Sequence, residues 1–188
     1  MISVNPLQPD DALIVVDVQN DFCPGGSLAV EQGDRVVPVL NHWIELARKS
    51  GAMIVASRDW HPPNHMSFQR RGGPWPPHAV RNTPGAAFHP SLRLPEQARI
   101  VDKGTHPDEE NYSAFDRTGL VDELRRAGVR RIWVGGLAQD ICVRATVLDG
   151  LGAGFETHLI HAATRPVDRQ DGSRTLEEMQ RAGAVVES

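Results

Sequence analysis

The sequence predicts a doubly wound α/β fold, a mostly parallel six-stranded sheet with helices on both faces. Three observations predict it. Short apolar runs alternate along the chain with stretches whose apolar residues recur at three-and-four spacing. The run Ala12–Val18 is apolar without alternation, broken only by Asp17, as a strand covered on both faces must be. Chemically capable side chains fall at the carboxyl ends of the runs, where open α/β sheets bind ligands.

Each element follows in order. After the first strand, Asn20-Asp-Phe-Cys-Pro-Gly-Gly-Ser27 is a loop that polar and glycine residues keep irregular. Val36, Leu40, Trp43, Ile44 and Ala47 form one helical stripe between Asp34 and Lys49, closed by Gly51. Met53–Ser57 is the second strand. Irregular chain then runs from Arg58 to about Leu94, rich in Pro, Gly, His and Trp. A loop that long in a compact domain is functional or disordered, and its histidines and tryptophans argue against disorder. Arg99–Lys103 is the third strand, and a helix spans Gly119 to Ala127 with Leu120 and Leu124 inward. Arg131–Val134 is the fourth strand. A helix from Asp140 to about Leu151 follows it, with Asp140 as its expected cap. Glu156–Ile160, a helix over Ser173–Arg181 and a terminal strand Ala184–Val186 complete the pattern. No repeat and no second unit interrupt it, so one domain over residues 1–188 is expected.

Bulk properties narrow the function classes. At 188 residues the chain can bury a sizeable core. A formal charge of −4 and a pI near 6.0 give no basic footprint for nucleic acid. The first residues lack a basic segment followed by an apolar run, so no secretory leader is expected there. No apolar run approaches a membrane span. Cys23 and Cys142 are too few for a disulfide framework, which points to a reducing cytoplasm. The expectation is a cytoplasmic protein with a small-molecule partner, and a homo-oligomer is neither required nor excluded.

Asp17, Asp59, Lys103 and Cys142 lie at or just past the ends of four different strands. Each alone has a bland explanation: a hydrogen-bonded carboxylate, a surface cation, a core thiol. Together they offer a nucleophile, a base for its proton and a cation for its charge. Cys142 falls in the first turn of its expected helix, where backbone N–H groups and the helix dipole favour a thiolate. A second constellation is Asp59-Trp-His61-Pro-Pro-Asn-His65, joined by Trp75-Pro-Pro-His78. Carboxylate and imidazoles with open positions suit one divalent first-row metal in a working site rather than a structural one. Otherwise they decorate a polar loop. His42, His89, His106, His158 and His161 read as structural or surface residues, and Cys23 as a bystander.

Val16-Asp-Val-Gln-Asn-Asp-Phe22, Pro24-Gly-Gly-Ser-Leu28, Asp59-Trp-His-Pro, Trp75-Pro-Pro-His78, Thr83-Pro-Gly-Ala86, Lys103-Gly-Thr and Gly136-Leu-Ala-Gln-Asp-Ile-Cys142 carry a resemblance. Together, and in this order over nearly the whole chain, they resemble the nicotinamidase (pyrazinamidase) branch of the isochorismatase-like cysteine hydrolases. The resemblance implies a Cys142 nucleophile, an Asp17 base and a Lys103 activator. It implies a zinc, manganese or iron ion on Asp59, His61 and His78, with His65 as a fourth ligand in some members. Phe22, Trp75 and Tyr112 would enclose the substrate ring. A cis peptide at Leu137–Ala138 would aim the N–H groups of Ala138 and Cys142 at the oxyanion. The implied reaction is hydrolysis of nicotinamide in pyridine-nucleotide (NAD) salvage. One departure stands out: Gln139 and Ile141 replace the family's usual Thr and its aromatic or His, and the residue beside the nucleophile often lines the pocket. Two alternatives remain. One is a hydrolase of the same fold acting on a carbamoyl, ureido or isochorismate substrate. The other is a metal-binding scaffold without catalysis.

Overall fold

The computed structural model describes residues 6–187, so the N-terminal stretch read above for a leader lies outside the described residues. Six strands form one sheet: β1 (Asp11–Val16), β2 (Met53–Asp59), β3 (Arg99–Lys103), β4 (Arg131–Leu137), β5 (Glu156–Arg165) and β6 (Val185–Glu187). Their order is β3-β2-β1-β4-β5-β6, and every pairing is parallel. The chain works outward from β1 to β3 and then returns to build β4, β5 and β6 on the other side. The strand order therefore reverses between β1 and β4, which opens a crevice at their carboxyl ends.

Why β1 is central follows from its residues. Leu13 and Val15 point to one face and Ala12, Ile14 and Val16 to the other, all fully buried. Helix α1 (Val36–Ser50) covers the first face with Val36, Leu40 and Ile44. Helices α2 (Leu120–Arg126), α3 (Arg144–Gly152) and α4 (Arg169–Arg181) cover the second, through Leu120, Leu124, Val147 and Met179. Each large apolar side chain so buried contributes about 1.5–3 kcal/mol. Among the described residues no helix is long and apolar enough to cross a membrane.

The fold class and all six strands are as expected, but several boundaries move. β1 stops at Val16 because Asp17 takes a left-handed backbone, φ 49°. β2 runs on to Asp59, which pairs with Lys103 of β3. β4 and β5 reach Leu137 and Arg165 across a register shift between Val134 and Gly136. Gly136, at φ 135°, passes so close to β1 that a Cβ would meet the Val16 carbonyl oxygen at 2.0 Å. α4 begins at Arg169, earlier than its apolar spacing suggested, because Asp168 caps it by accepting the N–H groups of Gln170 and Asp171.

Candidate active site

Asp17, Asp59, Lys103 and Cys142 converge in the β1/β4 crevice from four chain segments, all buried. Lys103 is the hub, 0% exposed in its side chain. Its Nζ lies 2.7 Å from Asp17 Oδ2, hydrogen-bonds to Asp59 Oδ1 and sits 3.5 Å from Cys142 Sγ. Burial works against its charge, but Asp17, Asp59 and Cys142 hold its pKa well above the ordinary lysine value. Asp59 likewise resists burial, kept far below the usual carboxylate range by Lys103 and His61.

Asp17 behaves differently. Burial pushes its pKa up to about 6, against the pull of Lys103 and with added repulsion from Asp59. Ser57 Oγ donates to its Oδ1 at 2.8 Å. Oδ2 is held by the Lys103 ammonium at 2.7 Å. A buried carboxylate with a raised pKa close to a thiol is what a proton acceptor requires.

Burial opposes the thiolate that the helix position favours. Burial raises the Cys142 thiol well above its ordinary pKa, and Asp17 and Asp59 add to the effect that Lys103 opposes. The local backbone is also not the expected α-turn. Residues Gln139–Val143 form a π-helical turn, with the Ala138 carbonyl accepting N–H of both Ile141 and Val143 at 3.1 Å, before α3 begins. Such turns recur at functional sites. Asp140 does not cap its helix; its carboxylate serves another segment. The Leu137–Ala138 peptide is cis.

Asp59, His61 and His78 place their ligand atoms within 4.8 Å of one another. His61 Nδ1 donates to the Gly104 carbonyl at 2.9 Å, and His78 Nδ1 to that of Pro76 at 2.7 Å. A carbonyl only accepts, so both Nδ1 atoms carry the proton and both Nε2 lone pairs stay available, a tautomer set by outer hydrogen bonds. The chemistry of this donor set fits a divalent metal. Gly104 makes the first contact possible: at φ 61°, a Cβ there would sit 2.4 Å from the His61 ring. His65 is outside the set. Its ring stacks on His61 at 4.0 Å, while Nδ1 meets Ser67 Oγ at 2.7 Å and Nε2 the Glu109 carbonyl at 2.9 Å.

Phe22, Trp75, Tyr112, Ile141 and Ala138 line the same pocket as Asp59, His78 and Cys142. Trp75 Nε1 approaches the Tyr112 hydroxyl at 3.4 Å, and the Phe22 ring lies 5.7 Å from that of His78. Sequence reasoning missed Leu28, Val30, Leu137 and Val167 in the lining. It also missed Gln19, which is buried and clamps Asp59. Its Oε1 accepts the Asp59 N–H at 2.8 Å and its Nε2 donates to the carbonyls of Asp59 and Ala86. The signal was a glutamine two residues past Asp17, inside a motif already singled out.

A family model described as the isochorismatase domain matches residues 11–188. A nicotinamidase of Escherichia coli is 39% identical over 95% of this chain and 94% of its own. A pyrazinamidase of Pyrococcus horikoshii in complex with zinc superposes with a TM-score of 0.93 at 50% identity, covering 96% of this chain and 99% of that one. An L. infantum structure in complex with nicotinate gives 0.88 at 38%, covering 95% and 92%.

Proposed function

This chain belongs to the isochorismatase family, and we propose that it is a nicotinamidase, hydrolysing the carboxamide of nicotinamide, and of pyrazinamide, to the acid and ammonia. The observation that carries the reading is the buried Asp17–Lys103 pair beside Cys142, which shares Asp59 with the Asp59, His61 and His78 set, while Cys142, Asp59 and His78 open on one pocket. An isochorismate substrate gives no reason for that second set, because a vinyl ether has no ring nitrogen to hold.

Asp59, His61 and His78 would hold the metal, and zinc is the ion in the P. horikoshii relative. When bound, it supplies a Lewis-acid grip on the pyridine nitrogen. The remaining work belongs to the chain. Phe22 and Trp75 flank the ring and Tyr112 closes over it. Asp17 Oδ2 takes the thiol proton as Cys142 Sγ bonds to the carboxamide carbon. Burial raises the thiol, which makes a neighbouring proton acceptor useful to the attack. The N–H groups of Ala138 and Cys142 receive the oxyanion, about 3 kcal/mol for each donor in comparable sites. The C–N bond then breaks while Asp17 returns its proton to nitrogen, and ammonia leaves a thioester behind. Water attacks that carbon, giving a proton to Asp17; the C–S bond breaks and the sulfur recovers the proton. Lys103 stays protonated and steadies whichever of its neighbours is negative. The product acid would enter pyridine-nucleotide salvage in the cytoplasm.

Ammonia release from nicotinamide, measured for wild type, Cys142→Ala and metal-stripped protein, tests the reading. Turnover is expected in the first alone. Turnover surviving in Cys142→Ala removes the thioester.

A further inference from the structure

Two residues of the nucleophile turn, Gln139 and Asp140, have work that none of these steps uses. Both oxygens of Asp140 bind chain beyond β5: Oδ1 accepts the N–H of Val167 at 2.9 Å and Oδ2 that of Asp168 at 3.1 Å. Gln139 is buried, and it reaches the ends of the same segment. Its Oε1 accepts the Thr164 hydroxyl at 3.1 Å, and its Nε2 donates to the Gly172 carbonyl in the first turn of α4 at 2.8 Å. Residues 164–172 are thus held at their start, middle and end by adjacent side chains of the nucleophile turn. Gly172 lets the far end pack closely, since a Cβ there would come within 2.7 Å of Pro166. At the middle is Val167, 48% exposed, which lines the pocket with Ile141 and Cys142. A half-exposed valine has too little packing to fix its own position; the Asp140 carboxylate fixes its backbone.

We propose that Gln139 and Asp140 are positioning residues for ring selectivity: they lock the Val167 wall to the turn that carries Cys142. The slot between that wall and the opposite side of the pocket then has one width, gauged from the same turn as the attacking sulfur. The inference rests on the amide-hydrolase reading only for the identity of the ring. It also gives the departure at Gln139 a role, since glutamine spans two partners that a shorter side chain cannot reach together.

The test compares wild type with Asp140→Ala, Gln139→Ala and Asp140→Asn, the last keeping an acceptor for one of the two N–H groups. Two quantities are read: hydrogen exchange of the amides of 164–172, and the ratio of kcat/KM for nicotinamide over 5-methylnicotinamide. Exchange is expected to accelerate in that segment. The ratio is expected to fall about tenfold, the usual worth of one methyl group in a fitted pocket, mainly through a lower KM for the larger amide. Asp140→Asn should fall between. Val167→Ala should shift the ratio the same way, and adding it to Asp140→Ala should change little more, as for residues acting through one contact. Unchanged exchange, or faster exchange with both amides affected equally, overturns the proposal. A wild type that releases ammonia from neither amide refutes the hydrolase reading instead. Selectivity is then read from calorimetric binding of nicotinate and 5-methylnicotinate, where no difference between wild type and Asp140→Ala overturns the clamp separately.

Discussion

Two buried aspartates bracket strand β1, and they are opposites. Asp11 opens the strand and Asp17 follows its end, and both are 0% exposed. Asp11 is saturated. Arg131 donates to both of its oxygens at 2.8 Å, and Oδ2 also receives the Gln8 N–H at 2.8 Å and Trp133 Nε1 at 3.3 Å. Asp17 has the Ser57 hydroxyl on one oxygen and, on the other, the Lys103 ammonium at 2.7 Å. Burial costs a carboxylate the same water at either end. Full satisfaction at Asp11 makes it a fastener between β1 and β4, whereas the raised pKa at Asp17 leaves a basic carboxylate beside the thiol.

Exchanging the two failures is the sharpest test of that contrast. Asp17→Asn should lower kcat by about a thousandfold or more, as loss of a general base and acid does, and should leave bound metal in place. Asp11→Ala should leave kcat near wild type but cost about 3 kcal/mol by stranding the Arg131 guanidinium, a drop of roughly 6–12 °C in Tm. Steady-state kinetics beside thermal melts read both. Full turnover in Asp17→Asn, or a dead but stable Asp11→Ala, would break the comparison.

The metal set gives the next largest effects. Chelation should abolish turnover and returning zinc should restore it. His78→Ala should lose metal in dialysed protein, read by elemental analysis. His65→Ala should weaken zinc about tenfold, the effect of an outer residue that braces a ligand, because it only stacks on His61. Equal metal loss in His65→Ala and His78→Ala would make His65 a ligand after all.

How far the sequence reached can be judged at individual residues. The strands of the sheet were legible because apolar runs carry their own period, and Asp17 because a carboxylate ends such a run. Histidine density marked the loop that supplies His61 and His78. The π-turn was not legible: it depends on where the Ala138 carbonyl points, and no residue pattern encodes that. Helix geometry suggested a thiolate at Cys142, whereas its burial, which spacing in the sequence does not show, works in the opposite direction. Ser57 was invisible because its partner lies 40 residues away in sequence and meets it only across the sheet. Asp140 was misread for a related reason. Its local position suits a cap, and its actual partners belong to a segment that arrives only once β5 is in place.

The smallest expected effect separates the aspartates by pH alone. Asp17 has a folded pKa near 6, raised from the ordinary carboxylate value by burial above all. A raised pKa means the fold holds a proton that the unfolded chain releases. Relative to an uncharged residue, Asp17 therefore costs nothing below about pH 4, begins to cost stability above it, and costs the full amount above pH 6. In metal-free protein, Asp17→Asn should accordingly raise Tm by several degrees at pH 8 and leave it nearly unchanged at pH 4. Asp11→Ala should lower Tm at both. A melt series from pH 4 to 8 on the three proteins decides it. If Asp17→Asn lowered Tm at pH 8, the Asp17–Lys103 pair would be a fastener like its counterpart, and its burial no mark of a base.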